Sequence, residues 1–240
     1  MNSFFQFAFV AFCAGSSMVA AAQYEGADIP GRQHAAVSRD TITEKGFTLI
    51  FVNKAEGFND TTGKRMIATF FKTYPEQVAL YNSGSLKTVT LIIDPAYTGV
   101  AAAGGGVIRV NPEWMKKNPE DIDVVTHEAM HIVQAYPHGA GPGWITEGIA
   151  DYVRYKMGVN NKAGNWSLPA YKEGQHYTNA YRVTARFFVW IEKKYSSDII
   201  QKLDKAMRTK TYTAAFWKEQ AGKTVDELWQ EYAAAPAIQH

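Results

Sequence analysis

One stretch restricts this chain more than any other: Val124-Val125-Thr126-His127-Glu128-Ala129-Met130-His131-Ile132-Val133-Gln134. If it is helical, its two imidazoles are four residues apart. At about 100° per residue they lie about 40° apart around the axis and one turn apart along it, so both rings project the same way. Two neutral imidazoles on one helix face suit a Zn²⁺ ion, and Glu128 stands where it can reach a water beside that ion. With His127 at zero, Ile122, Val125, Ala129, Ile132 and Val133 gather on the opposite side. The fold therefore has to bury one face of this helix, leave the other open to a ligand, and supply a further donor from elsewhere.

The bulk of the sequence permits such a fold. Hydrophobic residues make up 46% and charged residues 20% of 240 positions, which is globular rather than disordered composition. A formal charge of +2 with no Lys/Arg run gives no footprint for nucleic acid. Residues 4–22 carry no charge, are mostly apolar and end in Ala20-Ala21-Ala22. Small residues at Ala20 and Ala22 predict a signal peptide over residues 1–22, cleaved after Ala22, with a secreted (extracellular or periplasmic) mature chain over 23–240. A single N-terminal anchor is the competing reading; after signal removal no membrane association is expected. Cys13, the one cysteine, lies inside this leader, so the mature chain has no disulfide, no thiolate nucleophile and no cysteine-based zinc site.

Along the mature chain, residues 23–40 read as an extended polar lead-in. Strands are expected at 46–53, 86–94 and 107–111, with β-branched and aromatic residues throughout. Residues 60–82 carry apolar side chains at three- and four-residue steps, a helix with Pro75 as its weak point. Residues 101–106 read as a small-residue loop. Its Gly104-Gly105-Gly106 run lacks the Gly-Lys-Ser/Thr of a phosphate loop. It better serves a tight turn, or the approach of an extended peptide adding to a sheet edge. Asn118-Pro119-Glu120-Asp121 predicts the N-terminus of the histidine helix, with Asn118 as cap and Pro119 in the first turn. Breakers over 136–143 end that helix, and helical periodicity resumes at 144–157, 177–193, 197–207 and 225–234. Strands first and helices after give an α+β fold in one domain: a small N-terminal mixed sheet, an active-site helix and a helical C-terminal half.

The third metal donor can be sought in two places. The extended pattern His-Glu-x-x-His-x-x-Gly-x-x-His is broken here, because Gln134 and Pro137 occupy its required positions and His138 comes one residue late. Glu147 opens the next helix after a short Gly/Pro turn, the arrangement from which a His₂Glu site is built. Asp151, one turn further, can accept from the outer nitrogen of a ligating histidine, His127 first among them. The bland alternative makes Glu147, Asp151 and Arg154 a solvated, ion-paired face. In the functional reading Glu128 takes a proton from the attacking water and returns it to the leaving amine. A donor to the developing oxyanion is sought among Tyr181, Tyr177 and His176, with Tyr181 favoured.

These residues also carry a family likeness. The segments are Val125-Thr126-His127-Glu128 with His131 and Gln134, Glu147-Gly148-Ile149-Ala150-Asp151-Tyr152-Val153-Arg154, Tyr181 with Thr184-Ala185-Arg186-Phe187, and Val225-Asp226 with Leu228-Trp229 and Tyr232. In them the chain resembles the basic secretory protein family, zincin-type peptidases of plants and bacteria. The resemblance implies a gluzincin-like site with Glu147 as third zinc ligand, and a secreted protein. The expectation is a monomeric zinc endopeptidase acting on protein or peptide substrates. The alternative, from another class, is a catalytically weak or inactive zinc-containing secreted protein that binds a cell-wall or matrix partner through an aromatic surface. Glu128 argues against it, since a purely structural metal site has no use for a base.

Overall fold

Phe47-Thr48-Leu49-Ile50-Phe51-Val52-Asn53 forms the strand that its residues favour, and the sheet grows outward from it. In the computed structural model, which describes residues 35–238, five strands are present: β1 (Ser38–Glu44), β2 (Phe47–Asn53), β3 (Thr88–Ile93), β4 (Ala101–Gly104) and β5 (Val107–Val110). Their order is β1-β2-β3-β5-β4, with β2, β3 and β5 parallel and the two edge strands antiparallel to their neighbours. Leu49 pairs with Val89 and Ile93 with Val110, so the central strands align their buried residues. The expected leader over 1–22 and most of the lead-in lie outside the described residues.

Both edge strands depart from the sequence expectation, each for a local reason. β1 begins in the last residues of the expected lead-in and runs on to Glu44, and its side chains are almost all exposed, so no apolar alternation marks it. It is fixed by Lys45 and Gly46, both at positive φ (53° and 77°), the two-residue hairpin geometry that matches strand twist. β4 was expected as loop because three alanines and a glycine carry no strand signal. Gly105 and Gly106 (φ 58° and 82°) turn it tightly onto β5, so the glycine run does act as a turn.

Helix α1 (Asp60–Tyr81) begins where Asn59 Oδ1 accepts from the Thr62 amide at 2.9 Å. It lays Met66, Phe70, Tyr74 and Val78 into the core. Pro75 does not break it. The Phe71 carbonyl, which loses its helical donor there, accepts instead from Lys45 Nζ at 3.0 Å.

The expected helix start at Asn118 is corrected. Asn-Pro-Glu occurs twice, and the first copy is the one that caps: Asn111 Oδ1 accepts from the Glu113 amide at 2.9 Å and starts α2 (Pro112–Lys117). Asn118 closes that helix, its backbone amide donating to Trp114 O at 2.8 Å. The acids that follow make tertiary contacts instead of facing a helix dipole. Glu120 takes both Arg65 nitrogens at 2.8 and 2.7 Å, and Asp121 accepts from Trp114 Nε1 and pairs with Arg154. The histidine helix is α3 (Val124–Gln134), with Asp123 at its N-cap position making no side-chain capping bond, and is closed by Ala135 in the left-handed region (φ 43°, ψ 40°).

The remainder is helical: α4 (Gly143–Met157), a single 3-10 turn (Tyr177–Asn179), α5 (Tyr181–Lys194), α6 (Ile199–Arg208), α7 (Ala215–Ala221) and α8 (Val225–Ala234). The expected helix over 177–193 is broken at Ala180, and α7 has no counterpart in the sequence reading. The core runs without interruption from the sheet through α1 and α3 to the aromatic residues of α5 and α8. Among the described residues no helix is long and apolar enough to cross a membrane. Helix α3 packs between α1 and α4 and beneath β4, and α4 packs along α5. The α4–α5 approach depends on Gly148, where a Cβ would run into Thr184 and Phe188. Gly148→Ala should therefore cost about 1–3 kcal/mol by overpacking, seen as a lower urea midpoint at an unchanged slope.

Candidate active site

Helices α3 and α4 are neighbours joined by the turn at 135–142, and their facing sides carry the polar residues that the core does not use. Nε2 of His127 and Nε2 of His131 lie 3.1 Å apart. Oε2 of Glu147 is 3.3 Å from the first and 3.5 Å from the second. Tetrahedral ligands about 2.0–2.1 Å from a zinc ion stand about 3.3–3.4 Å from one another, so the spacing of these donors fits such an ion. Among the described residues this is the cluster of histidine and acidic donors with the spacing to hold a metal.

The outer nitrogens of both imidazoles are held. His127 Nδ1 donates to Asp151 Oδ1 at 2.7 Å, the bond expected from sequence. His131 Nδ1 donates to Gln134 Oε1 at 2.7 Å. Gln134 belongs to the family likeness, and its i+3 spacing from His131 on the same helix is the sequence signal for this bond. With Nδ1 protonated in both rings, Nε2 is left as the donor atom toward the cluster centre.

Glu128 stands beside this group, 6% exposed, and its Oε2 has no hydrogen-bond partner. An unpaired buried carboxylate oxygen is costly, and such atoms are expected where a further ligand or water belongs. Burial pushes the Glu128 carboxyl up, against the lowering pull of the two imidazoles; the neighbouring Glu147 and Asp151 add to the rise. Burial opposes charge on His127, but Asp151, then Glu147 and Glu128, outweigh it and raise this imidazole well above its ordinary value. His131 moves the same way, burial again being overcome, here chiefly by Glu147. The Glu147 carboxyl is desolvated too, yet the two imidazoles hold it well below the usual range.

Tyr181 lies at the rim of the same site. Its ring stacks on His127 with centroids 6.2 Å apart at 16°, and the residue is 54% exposed. Desolvation, followed by the charges of Glu147, Asp151 and Glu128, pushes its hydroxyl up to about 12, so it stays protonated and able to donate. The backbone that delivers it is strained. Ala180 (φ 62°, ψ −172°) and Tyr181 (φ 51°) are consecutive non-glycine residues at positive φ. Each such residue costs about 1–3 kcal/mol and persists where its surroundings dictate it.

The other candidates are directed elsewhere. Tyr177 is buried and donates to Asp226 at 2.6 Å, and His176 bonds to Thr178 Oγ1 at 2.8 Å. His138 is exposed and outside the donor cluster. Arg154 leaves Glu147 and Asp151 alone; it pairs with Asp121 and lies over the Trp166 ring at 4.5 Å.

A small mixed sheet followed by helices, with two histidines on one helix and a glutamate on the next, is the zinc-metallopeptidase fold. Solved structures bear this out. An M1 zinc metallopeptidase from Deinococcus radiodurans matches with a TM-score of 0.51 at 10% identity, over 85% of this chain and 52% of that one. A mutant M1 enzyme from the same organism, bound to a Tyr-Ser-Ala substrate, matches at 0.53 and 13%, over 85% and 53%. This chain thus spans about half the length of those enzymes. No curated protein matches the sequence. The profile of the family described as peptidase of plants and bacteria matches residues 33–232. The chain belongs to that family, the one its motifs resemble.

A metal entering this cluster has to displace the protons that the raised imidazoles hold. Zinc affinity should therefore still rise with pH above the ordinary imidazole value of about 6.5, with proton release detectable by calorimetry in buffers of different ionisation enthalpy. A pH-independent affinity would contradict this charge state.

Proposed function

We propose that this protein is a secreted zinc-dependent endopeptidase. The observation that carries the proposal is the convergence of His127, His131 and Glu147 donor atoms to within 3.5 Å, beside the buried, unpaired Oε2 of Glu128. His127 Nε2, His131 Nε2 and Glu147 Oε2 would hold the ion. Zinc supplies, when bound, the polarisation that makes a water acidic and a carbonyl electrophilic near neutral pH.

The chain's own groups do the rest. Glu128, with its carboxyl raised by burial and one oxygen left without a hydrogen-bond partner, accepts the proton of the attacking water and delivers it to the leaving nitrogen. Asp151 holds the His127 ring and its tautomer through each step. Tyr181, protonated at neutral pH and stacked beside His127, donates its hydroxyl hydrogen to the carbonyl oxygen as negative charge gathers there.

A peptide substrate fits the surface above α3. β4 is the edge strand on that side, and strand addition suits an extended backbone. Residues 95–108 carry no charged side chain, so this wall offers no carboxylate for a free α-ammonium group and favours an internal segment of a chain. The binding-protein alternative needs an exposed aromatic surface, whereas Tyr177, Trp217, Trp229 and Tyr232 are buried in the core.

Chelation should abolish cleavage of an unfolded protein substrate by residues 23–240, and added zinc should restore it. Glu128→Gln should lower kcat by about 10²–10⁴ while zinc stays bound. Tyr181→Phe should lower kcat by about 10²-fold with KM little changed. Stoichiometric zinc without chelator-sensitive cleavage would point to the binding role instead.

A further inference from the structure

We propose that Gln134 is a positioning residue that fixes His131 and couples it to the helix carrying Glu147. This rests on the zinc reading above. Gln134 lies in the last turn of α3 and is 1% exposed. Its Nε2 donates to the Thr146 carbonyl at 2.9 Å, and its Oε1 accepts from His131 Nδ1 at 2.7 Å. A carbonyl oxygen can only accept, so the Thr146 contact dictates which way the amide faces. Oε1 must then face the imidazole, which must present its hydrogen on Nδ1 and keep Nε2 free as a donor atom.

Thr146 immediately precedes Glu147. One side chain therefore sets the His131 tautomer and also ties α3 to the backbone from which the carboxylate donor leaves. The two donors come from different helices, and this amide is bonded to the ring of one and to the residue just before the other.

The choice of an amide has a further consequence. His127 already has a carboxylate partner in Asp151, and buried Glu128 and half-buried Glu147 stand beside the same rings. A second carboxylate acceptor at 134 would add another negative charge to this group and set two acceptors, itself and the Thr146 carbonyl, against each other. An amide orients the ring without either cost.

Zn²⁺ affinity of the full mature chain, measured by competition with a chromophoric chelator, tests this in Gln134→Leu and Gln134→Glu. Leucine fills the space without hydrogen bonding and should weaken zinc binding about 10–100-fold. Glutamate restores the acceptor for His131 and should recover part of that loss, held back by the added charge and by its inability to donate to Thr146. Both zinc-free variants should lose some stability, since each leaves the Thr146 carbonyl without its donor, so the difference in zinc affinity between them reports the acceptor for His131. A leucine variant that binds zinc as tightly as the parent would overturn the proposal. So would a glutamate variant no better than leucine, or a loss of affinity matched by an equal loss of zinc-free stability, which marks plain packing. If the unsubstituted protein binds no zinc, it is the zinc peptidase reading that fails.

Discussion

The hydrogen bond from His127 to Asp151 joins the two helices on which the whole site depends. At 2.7 Å it can form only if α4 lies directly against α3, and both partners are buried. Bringing buried His127, Glu128 and Asp151 together with half-buried His131 and Glu147 is unfavourable unless they are paired or neutralised. The protein offsets part of that cost within the cluster, through Asp151 and Gln134 on the outer nitrogens and Glu147 between the inner ones. The rise of the Glu128 carboxyl shows what remains uncompensated. A divalent cation bound between these donors would supply the remaining compensation, and its binding would then add to fold stability.

The surroundings can be understood as devices that keep the two helices in this relation. Arg154 reaches from the far end of α4 to Asp121, just ahead of α3. Asp123, at the start of α3, accepts from the amides of Val159 and Asn160 at 2.9 and 2.6 Å and so holds the chain leaving α4. Glu120 joins the same region to α1 through Arg65. On the other side, Gly148 lets α5 approach α4 closely, which brings the strained Ala180–Tyr181 backbone to the rim of the site. Strain at that point is tolerable because the α4–α5 contact is extensive and its residues are buried.

How much of this could be read from the sequence varied with how local each signal was. The histidine pair, Glu128, Glu147 and Asp151 were legible because helical spacing alone brings each to one face, and a short Gly/Pro turn between helices limits how far apart they can be. The α+β order followed from strand and helix periodicity. Asn118-Pro119-Glu120 misled because an identical signature stands seven residues earlier, and only Arg65, Asn160, Trp114 and Arg154 decide which copy caps a helix. β1 and β4 were invisible because an exposed polar edge and a run of alanines lack the apolar alternation of a half-buried strand. The backbone strain at Ala180 has no sequence signature at all, since alanine gives no hint of positive φ.

X-ray absorption at the zinc edge of the metal-loaded protein tests the central claim most directly, because imidazole rings leave a multiple-scattering signature that carboxylates and water do not. Two imidazoles with oxygen completing a four-coordinate shell at about 2.0–2.1 Å are expected. A third imidazole, or loss of only one of the two on removing both His127 and His131, would contradict it.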